Sequence, residues 1–337
     1  MKDTKKNAVL LLFITLIVLF FLLKDDFQNI IEVIQNVNII WFLIAIGVYC
    51  FYILFKAITL YILTKEHSKK IRLKDIISQT IITQFFNGIT PFSTGGQPME
   101  VYMLKKKGIK VATATNIIVQ NFILYQLALI TYGFIAVFLN EQFHLFTMNS
   151  VLQTLIILGF IINIIVGIVL LFISFSTKFN DFVGTCIIRL ATKVKIIKNQ
   201  EKIIKKWHEK LDEFHSGAEL LKRKKSILVK GYLYNLLGST AFYLVPFFVV
   251  HSLGLSTENL EILVSIVGAA YVLVIGNFVP IPGGSGGIEW GFVQLFSSYL
   301  SAPVLSATLI LWRMITYYIP TSVGGILFSI TKGDVKE

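Results

Sequence analysis

Three stretches of this chain, 8–23, 112–140 and 150–177, contain no aspartate, glutamate, lysine or arginine. A helix rises about 1.5 Å per residue and a bilayer's hydrocarbon core is about 30 Å thick, so roughly 20 apolar residues cross it. In a soluble domain such runs would have to be buried on every side. With 55% of the 337 residues hydrophobic and only 15% charged, too little charge is left to clothe a core of that size. The sequence therefore predicts an all-α polytopic membrane protein with no substantial soluble domain. Lys2, Lys5 and Lys6 before the first run resemble the start of a secretory leader. Lys24, Asp25 and Asp26 then stand where a small-residue cleavage site would lie, so the run reads as a retained first helix.

Eight apolar elements are expected, at 8–23, 39–64, 76–92, 112–139, 150–175, 228–252, 262–280 and 303–330. Their flanking charges set the topology. The N-terminal lysines and the loop holding Lys65, Lys69, Lys70, Arg72 and Lys74 belong in the cytoplasm under the positive-inside rule, with Asp25, Asp26 and Glu32 between them outside. A full crossing by 76–92 would put Lys105, Lys106, Lys107 and Lys110, and the basic stretch after 177, on the outer side. A hairpin over 76–104 that enters from the cytoplasm and returns keeps every basic cluster inside. A second hairpin, 262–302, enters from outside. About six full spans plus two inverted re-entrant hairpins follow, with both termini cytoplasmic in a multi-pass cell-membrane protein. Half one is 1–175, half two is 228–337, and 177–227 lies between them. In that segment Ile197, Ile204, Trp207, Leu211, Phe214 and Leu221 recur at helical spacing among lysines. It reads as a basic amphipathic cytoplasmic helix on the anionic inner leaflet, or equally as a solvated linker packed on the membrane domain.

Both hairpins break at similar strings. One runs from Asn87 through Thr90, Pro91, Thr94, Gly95, Gly96 and Gln97 to Glu100 and Tyr102. The other runs from Asn277 through Pro280, Pro282, Gly283, Gly284 and Ser285 to Glu289. Proline and glycine end helices, and non-helical backbone survives at membrane depth only where protein or a wet cavity satisfies it. Interrupted segments at corresponding places in two halves point to a transport site at their interface. Asn-Pro-Gly-Gly-Glu aligns the breaks, pairing Gly95-Gly96 with Gly283-Gly284 and Glu100 with Glu289. The helix starts that follow would favour an anionic group such as phosphate. Each glutamate either stabilises a helix's first turn or serves as counter-charge for a cationic headgroup. Lys56 and Arg313 lie within predicted spans, where a charge costs about 2.5–3.5 kcal/mol and so faces a partner or cavity. Lys56 can snorkel toward the nearby lysine-rich loop. Arg313 has no near interface and is the stronger candidate, with Glu289, Glu100 or a lipid phosphate as its partner.

The ordinary enzyme signatures are missing. Cys50 and Cys186 form no metal-ligand pair, the five histidines form no cluster, and no phosphate-binding or nucleophile-elbow motif occurs. No catalytic residue, metal or cofactor is assigned. The net charge of +12 is read as membrane asymmetry, so no nucleic-acid partner is expected.

The strings from Thr90 to Tyr102 and from Pro280 to Glu289 resemble the lysylphosphatidylglycerol synthase transmembrane family, the flippase-like membrane portion of the multiple peptide resistance factor, over nearly the whole chain. The resemblance implies movement of phosphatidylglycerol, lysylated or not, or of a related lipid between leaflets, with effects on surface charge and cationic peptide resistance. The partners it implies are an anionic or amino-acylated phospholipid headgroup, membrane lipids and a separate lipid-modifying synthase. Family members that also synthesise the lipid carry a soluble domain, which the residues after the final apolar run leave no room for here. A phosphatidylglycerol lysyltransferase and a small-solute transporter are the alternatives.

Overall fold

The computed structural model describes residues 27–68, 70–193, 224–254, 260–277 and 279–333, with 203–205, 207–209, 211, 212 and 214. Asn38 starts the first long helix by accepting from the N–H groups of Ile40 (3.0 Å) and Trp41 (3.4 Å), satisfying donors that a helix start leaves open. From there the chain runs in helices: α1 (Phe27–Gln35), α2 (Ile39–Lys65), α3 (Leu73–Gly88), α4 (Gly96–Lys106), α5 (Val111–Phe143), α6 (Ser150–Phe175), α7 (Thr177–Lys193), α8 (Lys225–Ser252), α9 (Ile262–Gly276), α10 (Gly287–Phe296), α11 (Ala302–Arg313) and α12 (Ile319–Gly333). No strand occurs among the described residues. A turn of π-helix, Met314–Tyr318, joins α11 to α12. The protein is an all-α polytopic membrane protein. Five helices among the described residues are long and apolar enough to cross a bilayer: α2, α5, α6, α8 and the continuous Ala302–Thr331. The expected first span, 8–23, lies outside the described residues, as do Ile197 and Leu221.

Two expectations are corrected. The segment 24–38, read as a loop, contains helix α1, which packs on α11. The segment 177–227 is not one amphipathic helix. The distance from Gly184 to Trp207 along a straight helix would be about 34 Å, yet a Cβ on Gly184 would lie 2.2 Å from the Trp207 ring. His208 Nε2 also lies 2.7 Å from Asp181 Oδ1. The chain folds back on α7, and Leu211 is buried there.

Local contacts gather helix ends at two faces. Lys224 pairs with Glu66, bringing the start of α8 to the end of α2. Lys107 Nζ lies 3.6 Å from Asp75, bringing the end of α4 to the start of α3. Partial burial opposes the Asp75 charge, but hydrogen bonds from Arg72 and the Lys107 ammonium outweigh it and hold the carboxyl below its ordinary value. On the far face Asn38 donates its backbone N–H to Ser252 O at 2.6 Å, and the Tyr299 hydroxyl donates to Leu145 O. The described connections on the first face carry Lys65, Lys70, Arg72, Lys74, Lys105, Lys106, Lys107 and Lys110. Those on the second carry Glu32, Glu141 and Glu261 and, among the described residues, no lysine or arginine.

Between the long helices sit two helical hairpins. α4 folds back along α3, since a Cβ on Gly96 would meet Asn87 and Thr83 and Gln79 Nε2 donates to Glu100 O at 3.4 Å. α10 folds back along α9, Gly276 against Ile288 and Gly268 against Phe296. The first hairpin opens on the basic face and the second on the acidic face, and their tips pack against each other. A long helix precedes each hairpin (α2, α8) and a long helix follows it (α5, α11–α12), so the same order of elements occurs twice with opposite sense.

The backbone corrects the register in which the two breaks were aligned. Thr90 (φ −119°, ψ 145°) and Ile281 (φ −111°, ψ 142°) each precede a proline that opens a 3₁₀ turn. Phe92 and Ser93 (φ 54° and 52°) then match Gly283 and Gly284 (φ 67° and 64°). Pro91 therefore corresponds to Pro282, and Gly95-Gly96 corresponds to Gly286-Gly287. Glu289 falls opposite Pro98, while Glu100 falls opposite Gly291.

Single cysteines at Lys70, Lys107 and Glu141, in a background without Cys50 and Cys186, test this arrangement. The first two are expected to react with an impermeant thiol reagent from one side of sealed vesicles and the third only from the other. Lys107→Cys labelling together with Glu141→Cys would overturn the hairpin.

Candidate functional site

Where the hairpin tips meet the long helices, a cavity of about 970 Å³ opens, near the top of the roughly 300–1,000 Å³ range of ligand pockets. Its walls come from the middles of the long helices: Tyr49, Tyr52 and Lys56 of α2, Tyr125 and Gln126 of α5, Asn163 of α6, Asn235 of α8 and Trp312 of α11. Its lining residues on these helices lie in from the helix ends at either face. The exposed Phe92, Thr94 and Pro98 stand on its rim at the first tip.

The first tip uses its own side chains to close its backbone. The Thr90 hydroxyl donates to Phe86 O (2.7 Å) and accepts from the Gly95 N–H (2.8 Å), while Asn87 Oδ1 accepts from the Gly96 N–H (2.9 Å). The amides of Gly95 and Gly96 are thus engaged within the protein. At the second tip the Glu289 carboxylate accepts from the Gly286 N–H at 2.6 Å, the N-cap arrangement of a helix's first turn.

Arg313 is 4% exposed and Glu289 5%. Arg313 Nε lies 2.8 Å from Glu289 Oε1, and Nη2 donates to Gly283 O (3.2 Å) and Ser285 Oγ (3.4 Å). The guanidinium stacks on Tyr317, 4.2 Å from the ring centroid. The Tyr317 hydroxyl donates to Gly88 O of the first hairpin at 2.9 Å. Gly283 sits against that ring so closely that a Cβ would come within 2.2 Å of it, and its φ of +67° disfavours any other residue. Arg313 lines the cavity, but its charge is paired with Glu289 and its Nη2 is turned to the second tip, and Tyr317 ties that tip to the first.

Lys56 has the opposite standing. Its ammonium donates to the Tyr52 hydroxyl (3.3 Å) and lies over the Tyr52 and Tyr125 rings at 5.2 and 5.5 Å. Among the described residues it has no carboxylate at ion-pair distance. Rather than snorkelling, it faces the cavity in an aromatic box. Glu100 lines the same cavity, buried, and contacts the Thr83 hydroxyl at 3.3 Å. Lys56 acts on it through space.

Of the residues expected from sequence, the cavity brings together Lys56, Asn87, Thr94, Gln97, Glu100, Asn277, Gly283 and Arg313. Thr90, Gly95, Gly96, Pro282, Gly284, Ser285 and Glu289 build the tips behind it. Tyr102 is exposed under Lys106. Sequence reading missed Tyr52, Tyr125, Asn235 and the Gln126–Asn163 pair (Nε2 to Oδ1, 2.7 Å). Polar residues in the middle of uncharged runs were the available signal. Gln84 Nε2, Gln97 Oε1 and Trp312 Nε1 are buried without a protein partner on residues of the cavity wall, as polar groups that meet a ligand or water are.

Residues 7–324 match the family model described as the lysylphosphatidylglycerol synthase TM region. Among curated proteins, the chain is 25% identical over 309 residues to a UPF0104 membrane protein of Archaeoglobus fulgidus, covering 88% of each chain. It is 26% identical over 332 residues to the UPF0104 membrane protein PH1989 of Pyrococcus horikoshii, covering 96% of each. The uncharacterized protein MG306 of Mycoplasma genitalium matches at 24% over 341 residues, 96% of this chain and 86% of that one.

Removing one partner of a buried ion pair costs about 3–5 kcal/mol, because the other charge is left uncompensated. Arg313→Ala should destabilise the protein by about that much in thermal unfolding in detergent micelles. Arg313→Met with Glu289→Gln should lose clearly less. Equal losses would remove the ion pair from its proposed structural place.

Proposed function

The chain belongs to the family of the lysylphosphatidylglycerol synthase TM region, and from that premise we propose that it moves phospholipid between leaflets. The headgroup passes through the cavity between the hairpin tips while the acyl chains stay in lipid. The observation that carries this reading is a cavity among the long helices in which, among the described residues, Lys56 has no carboxylate at ion-pair distance and several buried polar atoms lack protein partners. A phosphate diester supplies an anion that can contact the Lys56 ammonium directly. The exposed Phe92 and Pro98 at the rim offer an apolar edge past which acyl chains can slide. The hairpins then enter the membrane without crossing it. The positive-inside rule supports a cytoplasmic basic face and a cell-membrane location. Phosphatidylglycerol, plain or lysylated, is the substrate class that the family's description favours. The same description supports a second reading as the membrane portion of a lysyl-lipid synthase, for which product formation from charged tRNA and phosphatidylglycerol is the test.

Reconstitution into vesicles with labelled phosphatidylglycerol or lysylphosphatidylglycerol on one leaflet tests the first reading. The protein should accelerate exchange over empty vesicles. Lys56→Met should slow it about tenfold or more, the equivalent of one lost charge-assisted contact of about 1.4 kcal/mol or above. Lys56→Arg should retain part of the rate. Exchange no faster than in empty vesicles for either lipid would overturn the proposal.

A further inference from the structure

Glu100 is the cavity carboxyl that the lipid reading leaves without a task, and its surroundings are those of an exchangeable proton. Thr83 has one hydroxyl hydrogen and two acceptors competing for it: Gln79 O at 2.9 Å and Glu100 Oε1 at 3.3 Å. When Glu100 is ionised, the hydrogen can turn to the carboxylate. When Glu100 is protonated, it can donate to Thr83 Oγ1 while the hydroxyl hydrogen turns to Gln79 O. Both protonation states are satisfied by rotating one hydrogen, with no side-chain movement.

Charge balance gives this proton a purpose. Helix α2 brings Tyr49, Tyr52 and Lys56 to the cavity that Glu100 lines, and α5 brings Tyr125. On α3 no titratable residue lies between Asp75 and the tip. On α4 itself, Tyr102, Lys105 and Lys106 lie toward the basic face. Across the cavity Arg313 is neutralised by Glu289 and stacked on Tyr317. With Lys56 charged and Glu100 ionised, the cavity is neutral. A phosphate diester entering beside Lys56 leaves one negative charge too many in a space where water's screening is weak. A proton taken from cavity water onto Glu100 restores neutrality, and leaves again with the phosphate.

We propose that Glu100 is a proton-binding site coupled to the headgroup site at Lys56, so that an anionic lipid and a proton occupy the cavity together. The inference rests on the lipid reading above and adds its energy coupling: a transmembrane proton gradient would drive net movement of the anionic lipid. Linkage is reciprocal, so the proton tightens phosphate binding as much as phosphate tightens proton binding.

The test is calorimetric titration of short-chain phosphatidylglycerol into the full-length protein in detergent, in buffers of different ionisation heat. For the wild type, heats should differ between buffers, reporting proton uptake, and affinity should fall by up to about tenfold per pH unit as pH rises through the coupled range. Glu100→Gln should bind with buffer-independent heats and a flat pH profile. Thr83→Val keeps the carboxyl and removes the hydroxyl, so it should retain proton uptake with a displaced pH midpoint. That second variant keeps the test decisive even where Glu100→Gln fails to fold. Buffer-independent binding by the wild type, or uptake that persists in Glu100→Gln, overturns the coupling. With vesicle exchange still intact, such a result leaves the lipid reading standing. No binding at any pH, together with no exchange, removes both.

Discussion

A helix broken within a bilayer exposes backbone groups that hydrocarbon cannot satisfy, and among the described residues two hairpins between the long helices are broken at their tips. The solution is distributed over a few side chains. Thr90 and Asn87 take the amides of Gly95 and Gly96, and Glu289 takes that of Gly286. Arg313 takes the carbonyl of Gly283, and Tyr317 takes that of Gly88. The last two come from the same stretch, Arg313 at the end of α11 and Tyr317 within the π-turn that follows. That turn is held against both tips at once. A π-turn puts the following residues out of α-helical phase, a distortion common at working sites.

This arrangement explains why two buried charges near one cavity differ in character. Arg313 is expensive to bury and its cost is offset by Glu289, two acceptors and an aromatic face. Its charge is matched by Glu289 before any ligand arrives. Lys56 has only aromatic faces and one hydroxyl, which stabilise an ammonium without neutralising it. A cavity whose cation is stabilised but, among the described residues, has no carboxylate in contact is suited to an anion that comes and goes.

The tips differ in a way that their glycines explain. Gly283 and Gly284 adopt left-handed backbone at no steric cost, whereas Phe92 and Ser93 do so against their own Cβ atoms, a strain of order 1 kcal/mol or more per residue. The second tip is buried under Tyr317, where only glycine fits. The first is exposed on the cavity rim, and there the strained conformation presents Phe92 outward.

The membrane class, the boundaries of the long helices and the places of the two breaks were legible in the sequence, because apolar run length, charge and proline report directly on what lipid tolerates. Arg313 and Lys56 were visible as misplaced charges for the same reason. Their roles were not visible, since whether a buried charge is neutralised depends on which distant residue faces it: Glu289 stands opposite Arg313, and among the described residues no carboxylate stands at contact distance from Lys56. The repeat's register was misread because Gly-Gly pairs look alike as letters, while φ and ψ distinguish the pair that turns the chain from the pair that starts a helix. One dimension carries hydrophobicity, charge and chain flexibility. Partnership across helices arises only when the helices pack.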